Sequence, residues 1–163
     1  MPGSRPGDPV RRRGFTLLEL TIVLTIVGVV ITLGSLAFGG YFQRNAARRA
    51  AQVFARDLAL ARGYAVRSQE PVILRFYESD RWYVVRAASS TSEMTIRRFG
   101  INADIDLSEI DLAMAGDSLV VSSRGTLDLS GLDGALGSAS FSSGATTFTV
   151  SFNGMGASRI DQN

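Results

Sequence analysis

Residues 15 to 38 read FTLLELTIVLTIVGVVITLGSLAF, an apolar run broken by one carboxylate, Glu19. As a helix rising ~1.5 Å per residue, this run spans roughly 36 Å, enough to cross a hydrocarbon core of about 30 Å. Its many β-branched residues would suit a strand in water. In lipid every backbone polar group must be satisfied within the segment, which leaves helix as the available form. A cleaved secretory signal would carry a shorter apolar region, about 7 to 15 residues, and then a small-x-small cleavage site. Here the run is longer and passes directly into a second helical pattern.

Charge does not orient this segment. Arg5, Arg11, Arg12 and Arg13 precede it, and Arg44, Arg48, Arg49 and Arg56 follow it, so the count of flanking cations is a tie. The net charge of +2 and pI near 9.5 invite a nucleic-acid or anionic-membrane partner, but the basic residues sit early in the chain. From Ser68 onward there are 7 Arg against 12 Asp plus Glu, a formal −5. The chain has no Cys and no His, which removes disulfides, thiolate nucleophiles and imidazole chemistry.

Residues 41 to 66, YFQRNAARRAAQVFARDLALARGYAV, continue the helix as an amphipathic one. Ala47, Ala50, Ala51, Phe54, Leu58, Ala61 and Ala65 recur at steps of three and four and form one apolar stripe. Arg44, Arg48, Arg49, Arg56, Arg62 and Arg67 fall on the opposite side, with Asp57 near the boundary. The stripe is expected to pack on the chain's own domain. An arginine face for phosphate or lipid headgroups is the sharper alternative.

After Ser68 the pattern becomes that of strands. VILRFY (72 to 77) and WYVVRA (82 to 87) flank ESDR and predict a hairpin. MTIRRF (94 to 99), SLVVSS (118 to 123) and TFTVSF (147 to 152) predict further strands. Asn153-Gly154 is a two-residue turn signal that would return Ala157 to Ile160 as a short last strand. The Gly-, Ser- and Ala-rich stretch between Asp128 and Ala145 reads as a loose loop with at most one short strand. The fold class is therefore α+β: a long N-terminal helix packed on an antiparallel β-sheet domain.

Catalytic motifs fail on inspection. Residues 116 to 119 spell GDSL, a serine-hydrolase signature, but that serine needs a base and the chain has no histidine. Asp104, Asp106, Glu109 and Asp111 are oxygen donors of the kind calcium prefers. Their spacing is not that of a helix-loop-helix calcium loop, so a solvated acidic segment is the default and calcium the lesser alternative. No other metal or cofactor is expected, and the chain does not read as an enzyme.

Glu19 remains to be explained. A carboxylate at the centre of a membrane helix costs about 2.5 to 3.5 kcal/mol on insertion scales, and less one turn from its end. No Lys or Arg inside the segment can pair with it, whereas a free amine made by cleavage before Phe15 could. RRRGFTLLELTIVLTIVGVV (11 to 30) resembles the class III signal of type IV pilins and type II secretion pseudopilins: basic leader, Gly, Phe, and Glu four residues after the Phe. The resemblance implies that prepilin peptidase cuts between Gly14 and Phe15 on the cytoplasmic side and N-methylates Phe15. Arg11, Arg12 and Arg13 would be the basic residues of the leader. Glu19 would pair with the terminal amine of a neighbouring subunit as helices assemble.

Further along, AARRAAQVFARDLALARGYAVRSQEPVILRF is similar to the GspH/FimT group of minor pseudopilins and pilins, through Ala61-Arg62, Ala65 and Pro71-Val72-Ile73-Leu74, with Trp82 in the next strand. That resemblance implies four segments: a leader (1–14), a transmembrane and filament-core helix (15–38), its amphipathic continuation (39–67) and a periplasmic β domain (68–163). It implies a structural minor subunit of a type II secretion pseudopilus in the inner membrane, its N-terminus cytoplasmic, with a type IV minor pilin as the alternative. The implied partners are prepilin peptidase, other pseudopilins or pilins, the inner-membrane assembly platform and membrane lipid. Some FimT-type proteins bind DNA through arginines near a C-terminal Gly-Arg-x-Arg segment. The matching stretch here, NGMGASRI, keeps only Arg159, so nucleic acid is not expected as a partner. Subunits at the extreme tip of secretion pseudopili typically lack the glutamate, so Glu19 suggests a place within or just below the tip complex.

Overall fold

The structure is a computed structural model that describes residues 16–100, 103–113, 116–130 and 136–163, with the backbone alone for 35–38. Among these residues one helix, α1 (Leu17–Ser68), precedes nine strands. The chain divides into two units between Phe38 and Gly39.

Thr16 starts α1. Its hydroxyl accepts the Glu19 N–H at 3.2 Å, as an N-cap residue does, and its carbonyl accepts the Leu20 N–H. With Glu three residues on, Thr16-Leu17-Leu18-Glu19 has the pattern of a capping box. In the apolar part, the hydroxyls of Thr21, Thr25 and Thr32 donate back to the carbonyls of Leu18, Thr21 and Gly28 at 2.8 Å each. Each of these hydroxyls is thus satisfied inside the helix, as a lipid setting requires. At the other end Gln69 takes the left-handed conformation (φ 55°) and the Glu70 N–H reaches back to the Ala65 carbonyl, a Schellman stop ahead of Pro71.

β1 (Val72–Tyr77) and β2 (Trp82–Ala87) form the expected hairpin, with the same bounds the pattern predicts. They belong to a five-stranded antiparallel sheet, β3-β2-β1-β5-β6, with β3 (Glu93–Arg98), β5 (Ser118–Val121) and β6 (Leu127–Asp128). The second sheet, β4-β7-β8-β9, takes β4 (Glu109–Ala113), β7 (Leu136–Ser143), β8 (Thr146–Asn153) and β9 (Ser158–Gln162).

Two sequence expectations need correction. The stretch read as a loose loop contains β7, eight residues long and an inner strand of its sheet. Its small residues are a packing requirement: a Cβ on Gly137 would collide with the Phe152 ring, so glycine there lets a cross-strand phenylalanine lie flat over the strand. The β8–β9 connection is also longer than a two-residue turn. Asn153 Oδ1 accepts the N–H groups of Met155 and Ala157, and Gly156 takes φ +76°. The Asn organises a four-residue loop instead of a tight reversal.

The core lies between α1 and the two sheets. All seven stripe residues, Ala47 to Ala65, are buried. Phe54 stands at the centre, its ring 5.5–6.1 Å from Phe76 and Tyr83 of the first sheet and from Phe141 and Phe152 of the second. The alanines let the helix backbone approach the sheets, and one large ring then fills the space where they converge.

Candidate assembly surface

Because α1 is apolar on every side over its first turns, that segment has no polar face to give to water. From Leu17 to Leu33 its large side chains are exposed, by 45–81%. By length and composition this helix can cross a membrane. Glu19 sits in its first turn, exposed, where a carboxylate also favours the positive end of the helix dipole. Gly14, Phe15, Arg11, Arg12 and Arg13 lie outside the described residues.

Further along α1, Arg44, Arg48, Arg49, Arg56 and Arg67 are exposed, as the pattern predicts, but two polar positions behave differently. Arg62 is half-buried: its Nε donates to the Gly125 carbonyl at 2.8 Å, and Gly156 is where its stem passes. Asp57 is 2% exposed and receives Arg97 in a bidentate pair, at 2.7 and 3.0 Å, together with the Tyr83 hydroxyl at 2.9 Å. Burial and the Asp57 charge push the Tyr83 phenol far above its usual range. Hydrogen bonding to Asp57 raises the Arg97 guanidinium as well. This network joins α1 to β2 and β3, and it was missed in the sequence reading. Two signals were present: an acid beside Leu58 on the apolar stripe, and an arginine at an inward-facing position of β3.

The acidic residues of 104–111 are divided between two places. Glu109 and Asp111 alternate on the exposed side of β4, while Asp104 and Asp106 line a cleft of about 250 Å³ beside Arg49. Among the described residues, no three metal-ligating side chains converge. In the GDSL stretch, Gly116 has φ +138°, and Ser118 opens β5 opposite Arg75. It forms a turn entering a strand, and the chain has no histidine to serve as the usual base for such a serine. Elsewhere, Glu70 and Asp128 are held below the usual carboxylate range by hydrogen bonds from Ser89 and Ser130, both at the surface.

The geometry therefore presents an apolar helix and a β domain with no assembled catalytic centre among the described residues. Comparison with known proteins agrees with a structural role. A search of curated proteins finds no match. Among solved structures, the chain is similar to the type IV minor pilin FimU of Pseudomonas aeruginosa, with TM-score 0.55 and 17% identity, over 74% of this chain and 92% of that one. It is also similar to the minor pseudopilin EpsH from the type 2 secretion system of Vibrio cholerae, with TM-score 0.50 and 17% identity, over 71% and 95%. At such identities the likeness shows the pilin-like fold. Residues 10–35 match the prokaryotic N-terminal methylation motif. Residues 50–161, well over half of the chain, match the family model of the type II transport protein GspH, and the chain belongs to that family of pseudopilin-like filament subunits.

Proposed function

We propose that the chain is a minor subunit of a type II secretion pseudopilus. The observation that carries this is the pairing of a GspH match over 50–161 with a methylation motif over 10–35. In this reading residues 1–14 are a leader, with Arg11, Arg12 and Arg13 held at the cytoplasmic face. Prepilin peptidase cuts between Gly14 and Phe15 and methylates the new Phe15 amine. Residues 15–38 keep the subunit in the inner membrane, residues 39–67 continue the helix, and residues 68–163 form a periplasmic domain.

Glu19 supplies the step from membrane to filament. A carboxylate near the end of a lipid-facing helix is tolerable but uncompensated, and a neighbour's terminal amine compensates it. Pairing therefore favours lateral helix association in one register. The inner-membrane assembly platform would extract the subunit once that register is set. No catalysis is assigned to the chain.

Intact mass and N-terminal sequence of the protein from native membranes test the processing. The expected chain begins at N-methyl-Phe15. A chain retaining residues 1–14 in cells with active peptidase overturns it and leaves a membrane-anchored β domain. The likeness to FimU favours a second reading, a minor subunit of a type IV pilus. Deleting the gene separates the two: loss of enzyme secretion supports the first, and loss of twitching or transformation supports the second.

A further inference from the structure

We propose that Tyr41, Arg44, Arg48 and Gln162 form a site for the headgroup of an anionic phospholipid at the membrane surface. This rests on the reading that residues 15–38 lie in a membrane, and it holds whichever filament the chain serves.

Helix periodicity builds one wall of the site. Tyr41, Arg44, Arg48 and Gln52 follow one another at steps of three and four, so they share one face of α1. Arg44, Arg48 and Gln52 line a cleft of about 370 Å³ whose other wall is Phe148 of β8 with Ile160 and Gln162 of β9. Arg44 Nη2 donates to Gln162 Oε1 at 2.7 Å, which ties the helix to the last strand. A guanidinium has five N–H donors, so this bond leaves Arg44 with others to offer an anion.

The cleft is cationic without local compensation. No carboxylate side chain lines it. The ion pairs among the described residues, Arg97–Asp57 and Arg159–Asp161, include neither Arg44 nor Arg48. Asp161 lies between Ile160 and Gln162 in β9, so its side chain alternates to the opposite face of the strand, where it pairs with Arg159. Arg49 is in a different situation, lining a separate cleft with Asp104 and Asp106, and is no part of the site.

Three observations favour a lipid headgroup as the occupant. Tyr41 and Phe42 are 65% and 66% exposed, and among the described residues they are the only exposed aromatic side chains. Aromatic rings that follow an apolar run within three or four residues of sequence have the place and chemistry of an interfacial belt at headgroup level. Arg44 stands one turn beyond Tyr41, roughly 4.5 Å, and Arg48 roughly 10 Å beyond it, and an arginine stem can carry its head back toward that layer. Finally, with the leader in the cytoplasm these cations flank the apolar run on its far side, where orientation does not call for them. Neighbouring guanidinium groups suit a phosphate, which accepts charge-assisted bonds from more than one donor.

The test uses the full chain in mixed micelles of dodecyl maltoside and phospholipid. Thermal unfolding is followed by the emission of Trp82, the only tryptophan. A headgroup held between α1 and β9 binds the folded domain in preference to the unfolded one, so it raises the transition. Phosphatidylglycerol should raise it by about 3–6 °C over phosphatidylcholine, whose choline cancels the phosphate charge, and added salt should shrink the rise. R44E/R48E should abolish the rise, and R44Q/R48Q likewise if the first variant loses its fold. R56E/R67E removes as many cations from the same helix, but Arg56 stands roughly 22 Å beyond Tyr41, so that variant should keep most of the rise. Equal transitions in the two lipids, or a rise indifferent to R44E/R48E and R44Q/R48Q, overturn the proposal. Glycerol phosphate or a ten-residue glutamate peptide that raises the transition as much in phosphatidylcholine overturns it in favour of a free anion or an acidic protein. Alkaline carbonate extraction of native membranes separates this proposal from the reading it rests on. A retained chain with no phosphatidylglycerol effect overturns the headgroup site alone, and a released chain overturns both.

Discussion

Two stretches of the same helix end in opposite circumstances. Between Leu17 and Leu33 nearly every residue is apolar and every large one is exposed; between Ala47 and Ala65 the apolar residues occupy one stripe, and that stripe is buried. A stripe on one side marks an element whose cover lies within its own domain. Apolar residues on all sides mark one whose cover must come from lipid or other helices. The difference can be probed by substitution, because only one of the two stretches should affect the stability of the β domain.

The largest contrast is between Phe54 and Leu24. Phe54 touches aromatic rings from both sheets, so Phe54→Ala leaves a cavity at the meeting point of all three layers and should cost about 3–5 kcal/mol. Leu24 is exposed, and Leu24→Ala should shift the same transition by less than about 0.5 kcal/mol. Guanidinium unfolding of the full chain in detergent, followed by Trp82 emission, measures both. Equal effects would mean that the two stretches are not independent and would break the comparison.

A smaller effect sharpens the account of the buried half. Asp57→Ala leaves the Tyr83 hydroxyl without its acceptor and Arg97 without its charge partner. Arg97 is 41% exposed and can turn to water, so the expected loss is about 2–3 kcal/mol and not the full value for a buried pair. The triple variant Asp57→Leu/Arg97→Met/Tyr83→Phe should recover much of it, because it leaves neither a charge nor a buried hydroxyl without a partner. The pH dependence follows from Tyr83, whose folded-state pKa is raised. Its contribution is fully present below the unfolded value of about 10 and is lost as pH rises beyond it. Tyr83→Phe should therefore flatten the fall in stability above about pH 10, which alkaline unfolding titrations would read directly.

What was legible in the sequence followed from periodicity. The stripe from Ala47 to Ala65 and the β1–β2 hairpin are local patterns with one reading, and both stand where the pattern put them. β7 was illegible because three of its four inward residues, Gly137, Ala139 and Ser143, are small, Gly137 for the sake of a neighbouring strand. That reason lies across the sheet at Phe152, which no window along the chain contains. The Asp57–Arg97–Tyr83 network was hidden in the same way, its members 26 and 40 residues apart. The methylation-type signal at 11–19, by contrast, is contiguous and could be read directly.

The smallest prediction compares glycines. Gly63 sits in the buried half of α1, but on its exposed side, with open space where a Cβ would go. A helix-interior glycine there costs conformational entropy and gives no packing in return, so Gly63→Ala should raise stability by about 0.5–1 kcal/mol. Gly137→Ala carries the same chemical change into β7 and should lower it by about 1–3 kcal/mol, because the new methyl displaces the Phe152 ring. Opposite signs from one substitution type would separate backbone entropy from close packing. If Gly63→Ala destabilised the domain, its open face would have to be covered by something outside the chain, and the second half of α1 would then share the outward dependence of the first.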